Sequence, residues 1–265
     1  MRENNFHVDE HSLKTNISNV EPNKIVTMGY NQQDLIEKIR YGDMVFLLLK
    51  GKLPSISESK MFNHVLVSFC DHGVTPPSTQ TARIIASSGS PLNSAVAGAL
   101  LSFGYKHAGA IEKTMRLLQS NIDKLILTGD DDLDNKQIAG MAIDIYNEYL
   151  SKEDKIPGFG HRYHDKDPRA EKLVELAIKN SFVGPHLKLA LAIEDLIYNN
   201  KCIKLNVDGA NAAILSDLGF TPELGLGIFI IGRVPGIIAH INEEKMDEEE
   251  FRRFCDLDNI VYGGY

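Results

Sequence analysis

Apolar side chains recur along most of this chain at the three- and four-residue spacing of an amphipathic helix, and glycine or proline punctuates nearly every run. Leu35, Ile36 and Ile39 follow Asn31 with that spacing, and Gly42 closes the pattern before a second apolar run at 44–49. Residues 51–54, Gly-Lys-Leu-Pro, mark a turn. Ser57 and Glu58 then open a helix whose apolar stretch, 61–69, delivers Asp71 and His72 to its end, where Gly73, Pro76 and Pro77 break the geometry. Residues 92–101 are rich in alanine and glycine, the composition of a buried helix packed at close range. Further helices are predicted from about Ile111, across 137–149, from Pro168 as a first-turn proline, and across 187–197.

No sustained series of β-branched strands alternates with these helices, and Gly158 and Gly160 do not make a dinucleotide fingerprint after a strand. The pattern predicts an all-α protein. The first twenty or so residues are polar and aperiodic and read as an arm or irregular strand. The two most membrane-like runs, 95–105 and 224–231, fall short of the roughly 20 apolar residues that cross a bilayer, so both are assigned to the core and no membrane partner is expected.

The length of 265 residues allows one large core or two modest ones. With 36 acidic against 28 basic side chains the formal charge is −8, which argues against a nucleic-acid partner but leaves room for a small anion held by a few converging arginines. Cys70, Cys202 and Cys255 are too few and too scattered for a disulfide scaffold or clustered zinc. Residues 1–10 carry neither an apolar signal segment nor a basic amphipathic one, so a cytoplasmic setting is expected.

Unusual polar groups gather at Asp71-His72 with Arg83, at Lys106-His107, along 157–169, and at 206–209 followed by Arg233. The acidic run at Asp130, Asp131, Asp132 and Asp134 reads as a solvated turn and helix start, since an ordered calcium-loop pattern is missing. His161 and His164, with His72 or His107 brought near, raise a three-histidine metal site, but no compact ligand signature supports it and no metal is assigned. Proton transfer is the stronger assignment. A histidine exchanges a proton near neutral pH, and an aspartate beside a reacting carbon deprotonates or reprotonates it.

In order along the chain stand His72-Gly73-Val74-Thr75-Pro76-Pro77-Ser78, then His107-Ala108-Gly109-Ala110, then Pro157-Gly158-Phe159-Gly160-His161-Arg162-Tyr163-His164 leading to Asp167-Pro168-Arg169-Ala170. Asn206-Val207-Asp208-Gly209-Ala210 and Ile231-Gly232-Arg233-Val234-Pro235-Gly236 with Ala239-His240 follow. On these blocks the sequence resembles the citrate synthase superfamily, especially its short citryl-CoA lyase branch, over about residues 25–240. The resemblance implies a citrate synthase-like fold with a large helical domain, 1–109 and 208–265, a smaller mobile helical domain, 110–207, and a homodimer.

The resemblance also implies roles. His107, His161 and Asp208 match the catalytic trio. His72, Arg169 and Arg233 match positions that bind the carboxylates of oxaloacetate or the citryl group, for which the planar paired donors of arginine are suited. Arg162 and Lys166 are candidate contacts to the phosphates of coenzyme A, which enters as part of the substrate or product, and Asn206 orients the thioester end or the catalytic loop. Three departures stand out. Ala108 fills a place often held by glycine, the interval from His161 to Arg169 is one residue shorter than in many full-length synthases, and the chain ends at Gly263-Gly264-Tyr265 without the tail that supplies another substrate arginine. Arg252 or Arg253 replaces that arginine or lies on an exposed helix beside 248–250.

The implied activity is cleavage of citryl-CoA to acetyl-CoA and oxaloacetate. A compact citrate synthase and a 2-methylcitrate synthase are the enzymatic alternatives, and a noncatalytic CoA-binding protein is the alternative of a different class.

Overall fold

The structure, a computed structural model, describes residues 13–127, 134–162, 165–253 and 255–264. The readings made on residues 1–10, on Asp130, Asp131 and Asp132, and on Tyr163 and His164 lie outside the described residues. The chain divides into two compact units, Met1–Ser59 and Lys60–Tyr265.

The first unit holds a small antiparallel sheet, β1 (Ser18–Glu21), β2 (Lys24–Thr27) and β3 (Tyr30–Asn31), in the order β1-β2-β3. Ser18 pairs with Thr27 and Glu21 with Lys24, so the β1–β2 connection is a tight two-residue turn, with Asn23 in the left-handed region at φ 62°. Asn31 caps α1 (Gln32–Lys38) by accepting from the Gln33 N–H. That helix stops at Ile39, and α2 (Tyr41–Lys50) begins before Gly42 because the Asp43 carboxylate accepts from the Arg40 N–H at the new N-terminus. Two capped helices therefore stand where periodicity predicted one helix ending at Gly42, and a sheet over residues 18–31, which periodicity did not predict, begins at the end of the segment read as an arm or irregular strand.

The second unit is helical. It contains most of α3 (Ile56–Phe69), followed by α4 (Pro77–Ser87), α5 (Leu92–Leu101), α6 (Gly109–Leu127), α7 (Asn135–Ser151), α8 (Pro168–Lys179), α9 (Pro185–Lys201), α10 (Val207–Asp217) and α11 (Pro222–Asp247). Pro77, Pro168, Pro185 and Pro222 all sit in first turns, where a missing N–H costs nothing. The alanine-rich segment packs as expected. Ala82 and Ala86 of α4, Ala95 and Ala99 of α5, and Ile237 and Ile241 of α11 form one buried cluster. Helix α10 is buried from Gly209 to Ser216 and packs against α6, α8 and α9, which makes its N-terminus a fixed point inside the unit.

The expectation that no apolar run reaches membrane-spanning length needs correction. Helix α11 continues through Gly232, Arg233 and Pro235 for 26 residues, and by length and composition alone it is apolar enough to cross a bilayer. It packs on α4, α5 and α6 and buries Arg233 and Glu244, the behaviour of a core helix. The sequence run looked short because Gly232 and Arg233 interrupt it.

Candidate active site

Helix ends bring the site residues together. A short loop carrying Pro157, Gly158, Phe159, Gly160 and His161 lies against the start of α10. The Asn206 N–H donates to the Gly158 carbonyl at 3.0 Å, the Gly160 N–H donates to the Lys204 carbonyl at 2.8 Å, and the Asn206 Nδ2 donates to the Gly160 carbonyl at 2.7 Å. Asn206 also caps α10 by accepting from the Gly209 N–H at 3.0 Å. Gly158, at φ 87°, faces Gly209 so closely that a Cβ on either would collide with the other's backbone. The two glycines thus allow the loop bearing His161 to reach the helix turn bearing Asp208.

Asp167 ties in a third element. It is the N-cap of α8 and accepts from Arg169 through Nε at 3.0 Å and Nη2 at 2.9 Å, while its second oxygen accepts from the Val207 N–H at 3.1 Å. Burial by itself would raise this carboxyl, but the hydrogen bonds and charge of Arg169, with the Val207 N–H, hold it below the usual range. One buried carboxylate therefore joins the first turns of α8 and α10, and His161 Nε2 lies 4.0 Å from it.

The result is a cavity of about 250 Å³ lined by His72, His107, His161, Arg162, Arg169, Asn206, Asp208 and Arg233. The structure thus gathers eight of the nine residues selected from sequence. Lys166 is exposed and does not line this cavity. His72 and His161 meet edge to face with ring centroids 5.4 Å apart. His107 shares a 2.9 Å hydrogen bond with Ser78 Oγ and packs against Phe103. Arg233 donates through Nε to the Phe69 carbonyl at 2.6 Å, and its guanidinium lies over the Phe229 ring.

The electrostatics are those of a cationic pocket whose lining is partly desolvated. Burial, then the charges of Arg169, Arg233 and His161, depress His72 to about 4, so its ring is uncharged at neutral pH. Burial, with Arg233 and Arg162, likewise depresses His107. The surrounding protein withdraws water from Asp208 and raises its carboxyl, outweighing Arg169 and Arg233. A basic carboxylate, uncharged imidazoles and two arginines on one small cavity suit proton transfer at carbon beside a bound polycarboxylate.

Two larger cavities share walls with it. One, of about 820 Å³, is lined by Tyr146, Tyr149, Phe159, His161, Arg162, Lys155, Lys201 and Lys204; the other, of about 890 Å³, includes Lys106, Lys113, Asn206 and Asp208. Lys155, Lys201 and Lys204 went unnoticed in the sequence because no motif surrounds them. Ser78 and Asp167 lay within quoted motifs, but only the fold shows what they touch. Among the described residues no group of three or more histidine, cysteine, aspartate or glutamate side chains gathers as a metal would require.

Ala108 adopts φ 68°, a left-handed backbone that glycine enters without strain. Arg252 is neither in this cavity nor on a helix. It follows the end of α11 and pairs with Glu244 at 2.6 Å and Glu248 at 3.0 Å.

Fold and site together define a helical protein whose polar cavity is built at the meeting of helix N-termini and glycine-rich loops. Residues 57–254 match the family described as citrate synthase, C-terminal domain, and the chain belongs to the citrate synthase family. It is 32% identical over 223 residues to the citrate synthase of Heyndrickxia coagulans, covering 82% of this chain and 56% of that protein. It is 32% identical over 214 residues to the 2-methylcitrate synthase of Shewanella oneidensis, covering 79% and 53%. The chain spans about half the length of these curated relatives. The structure of citryl-CoA lyase from Hydrogenobacter thermophilus superposes with a TM-score of 0.84 at 38% identity, covering 96% of this chain and 95% of that one.

Proposed function

We propose that this chain cleaves citryl-CoA to acetyl-CoA and oxaloacetate by acid–base, aldol-type chemistry. The observation that carries the reading is the convergence of His72, His107, His161, Arg169, Asp208 and Arg233 on one small cavity. Arg169 and Arg233, with His72, hold the carboxylates. His161 accepts the proton of the tertiary alcohol as the carbon–carbon bond breaks and the alcohol carbon becomes the ketone of oxaloacetate. The electron pair of that bond passes into the departing thioester fragment. His107, uncharged and fixed by Ser78, donates a hydrogen bond to the thioester oxygen of this enolate. Asp208 delivers a proton to the carbon, giving the methyl group of acetyl-CoA. Its raised carboxyl favours the protonated form that this direction needs.

The coenzyme A arm occupies the 820 Å³ cavity in this reading. Tyr146, Tyr149 and Phe159 offer faces to an aromatic base, and Arg162, Lys155, Lys201 and Lys204 offer charge to phosphates. Closure of segment 110–207 excludes water from the bond being broken. A homodimer in the cytoplasm completes the proposal; sedimentation of the purified protein tests the first part.

The near-complete mutual coverage with the citryl-CoA lyase favours cleavage. The 32% identity to citrate and 2-methylcitrate synthases supports the second reading, condensation of acetyl-CoA or propionyl-CoA with oxaloacetate. Purified protein given citryl-CoA, acetyl-CoA plus oxaloacetate, or propionyl-CoA plus oxaloacetate separates them. Oxaloacetate release from citryl-CoA without net citrate formation supports the lyase. Efficient release of free CoA during condensation supports a synthase, and CoA binding without turnover in all three sinks the catalytic proposal.

A further inference from the structure

His240 stands outside the cavity, yet it contacts the loop that carries His72. Its Nε2 lies 2.8 Å from Asp71 Oδ2, and its Nδ1 lies 3.4 Å from Glu243 Oε2. Asp71 immediately precedes His72, and its carboxylate also accepts from the Gly73 N–H at 2.8 Å. The loop is therefore held on both sides of His72 by one carboxylate.

Helix α11 presents Arg233, Gly236 and His240 at i, i+3 and i+7, a single face. Arg233 reaches the Phe69 carbonyl at the end of α3, and a Cβ on Gly236 would meet Asp71 Oδ1 at 2.8 Å. The absence of a side chain at Gly236 lets Asp71 approach the helix, and His240 then meets it one turn later. Glu243 in turn pairs with Arg83 of α4. The same face thus carries one expected carboxylate-binding group, Arg233, and holds the segment that carries another, His72.

We infer that His240 is a positioning residue: through Asp71 it fixes the His72 loop against α11, so that His72 and Arg233 keep one spacing for a bound carboxylate. The inference rests on the reading of the cavity as an oxaloacetate or citryl site. Its signature is a change in substrate affinity with little change in the chemical step, because His240 touches neither the reacting atoms nor Asp208.

The test compares wild type with His240→Ala, His240→Gln, Asp71→Asn and the double variant His240→Ala/Asp71→Asn, measuring kcat, KM for citryl-CoA and melting temperature. His240→Ala is expected to raise KM about tenfold, as loss of a hydrogen bond to a charged group does, with kcat within about threefold. His240→Gln keeps one donor and should recover most of the loss, and the double variant should be no worse than the weaker single one. Unchanged KM in His240→Ala, additive losses, or a fall in kcat alone would overturn the inference. Should His240→Ala fail to fold, Asp71→Asn preserves size and carries the same KM prediction. If wild type turns over none of the substrates, the reading of the site fails first. Calorimetric binding of oxaloacetate to wild type and His240→Ala then tests positioning alone, and equal affinities overturn it.

Discussion

Two arginines lie deep in the second unit, and the protein treats them in opposite ways. Arg83 is 6% exposed and Arg233 is 3% exposed. Arg83 spends its guanidinium on three carboxylates, meeting Glu243, Glu244 at 2.6 Å and Glu248 at 2.9 Å, and Arg252 pairs with Glu244 and Glu248 beside it. Arg233 has a backbone carbonyl and an aromatic face, and no described carboxylate stands at ion-pair distance from it. A buried cation satisfied by the protein contributes to the fold. One left facing a cavity costs stability until an anion arrives, and that cost marks a binding site.

The sharpest way to separate the two regions is to remove the group proposed to transfer a proton, which does not hold the fold. Asp208→Asn should lower turnover of citryl-CoA by about 10²–10⁴-fold, the usual contribution of a proton-transfer group. Its melting temperature at neutral pH should hold or rise, since a carboxyl raised by burial destabilises the folded state when ionised. Unchanged turnover would remove Asp208 from the trio.

Next comes the direct exchange between the arginines. Arg83→Met should cost about 1.5–3 kcal/mol in unfolding free energy, because buried Glu244 loses one of its two arginine partners and keeps Arg252, while KM in the remaining folded enzyme stays near wild type. Arg233→Met should do the reverse, raising KM about 100-fold with little loss of stability, and denaturant titration beside steady-state kinetics reads both. If both variants behave alike, the distinction fails.

The site histidines and the ionic cluster should also titrate in different windows. His72, depressed to about 4, and His107, depressed in the same direction, bind fewer protons folded than unfolded, so stability falls as pH drops from about 6.5 toward about 4. Glu243 and Glu244 lie below their usual value, so the stability of the ionic cluster is present above about 4.5 and is lost below that as they protonate. Melting temperature against pH should show two steps, and His72→Asn should diminish the upper one only. A single step unaffected by His72→Asn would contradict this.

The smallest effect concerns the backbone beside His107. Ala108→Gly should stabilise the fold by up to about 1 kcal/mol by relieving the left-handed alanine, since αL costs roughly that much for a residue with a Cβ. No gain in melting temperature would show that packing of the methyl group compensates.

Several of these contrasts were legible in the residues themselves. Pro168 announced a helix start and the alanine-rich 92–101 segment a close helix crossing because proline geometry and side-chain size act locally, whereas Pro77, read as a helix breaker, opens α4. The motif blocks placed His72, His107, His161, Arg169, Asp208 and Arg233 in one candidate site although they lie up to 161 positions apart. The sheet near the N-terminus was less legible, since its strands are at most four residues long and mostly exposed, with little alternation to read.

What the sequence determined by itself was the helical class, the family and the roster of polar groups, each a property of composition, period or motif. Tertiary structure decided which of those groups share a space. In sequence Arg83 grouped with Asp71 and His72, and only the packing of α4 on α11 gives it three glutamates instead. Lys166 and Arg162 stand four residues apart, yet only Arg162 reaches the cavity. Ion pairing and desolvation depend on distances of a few ångströms between segments far apart in the chain, and those distances are set by packing.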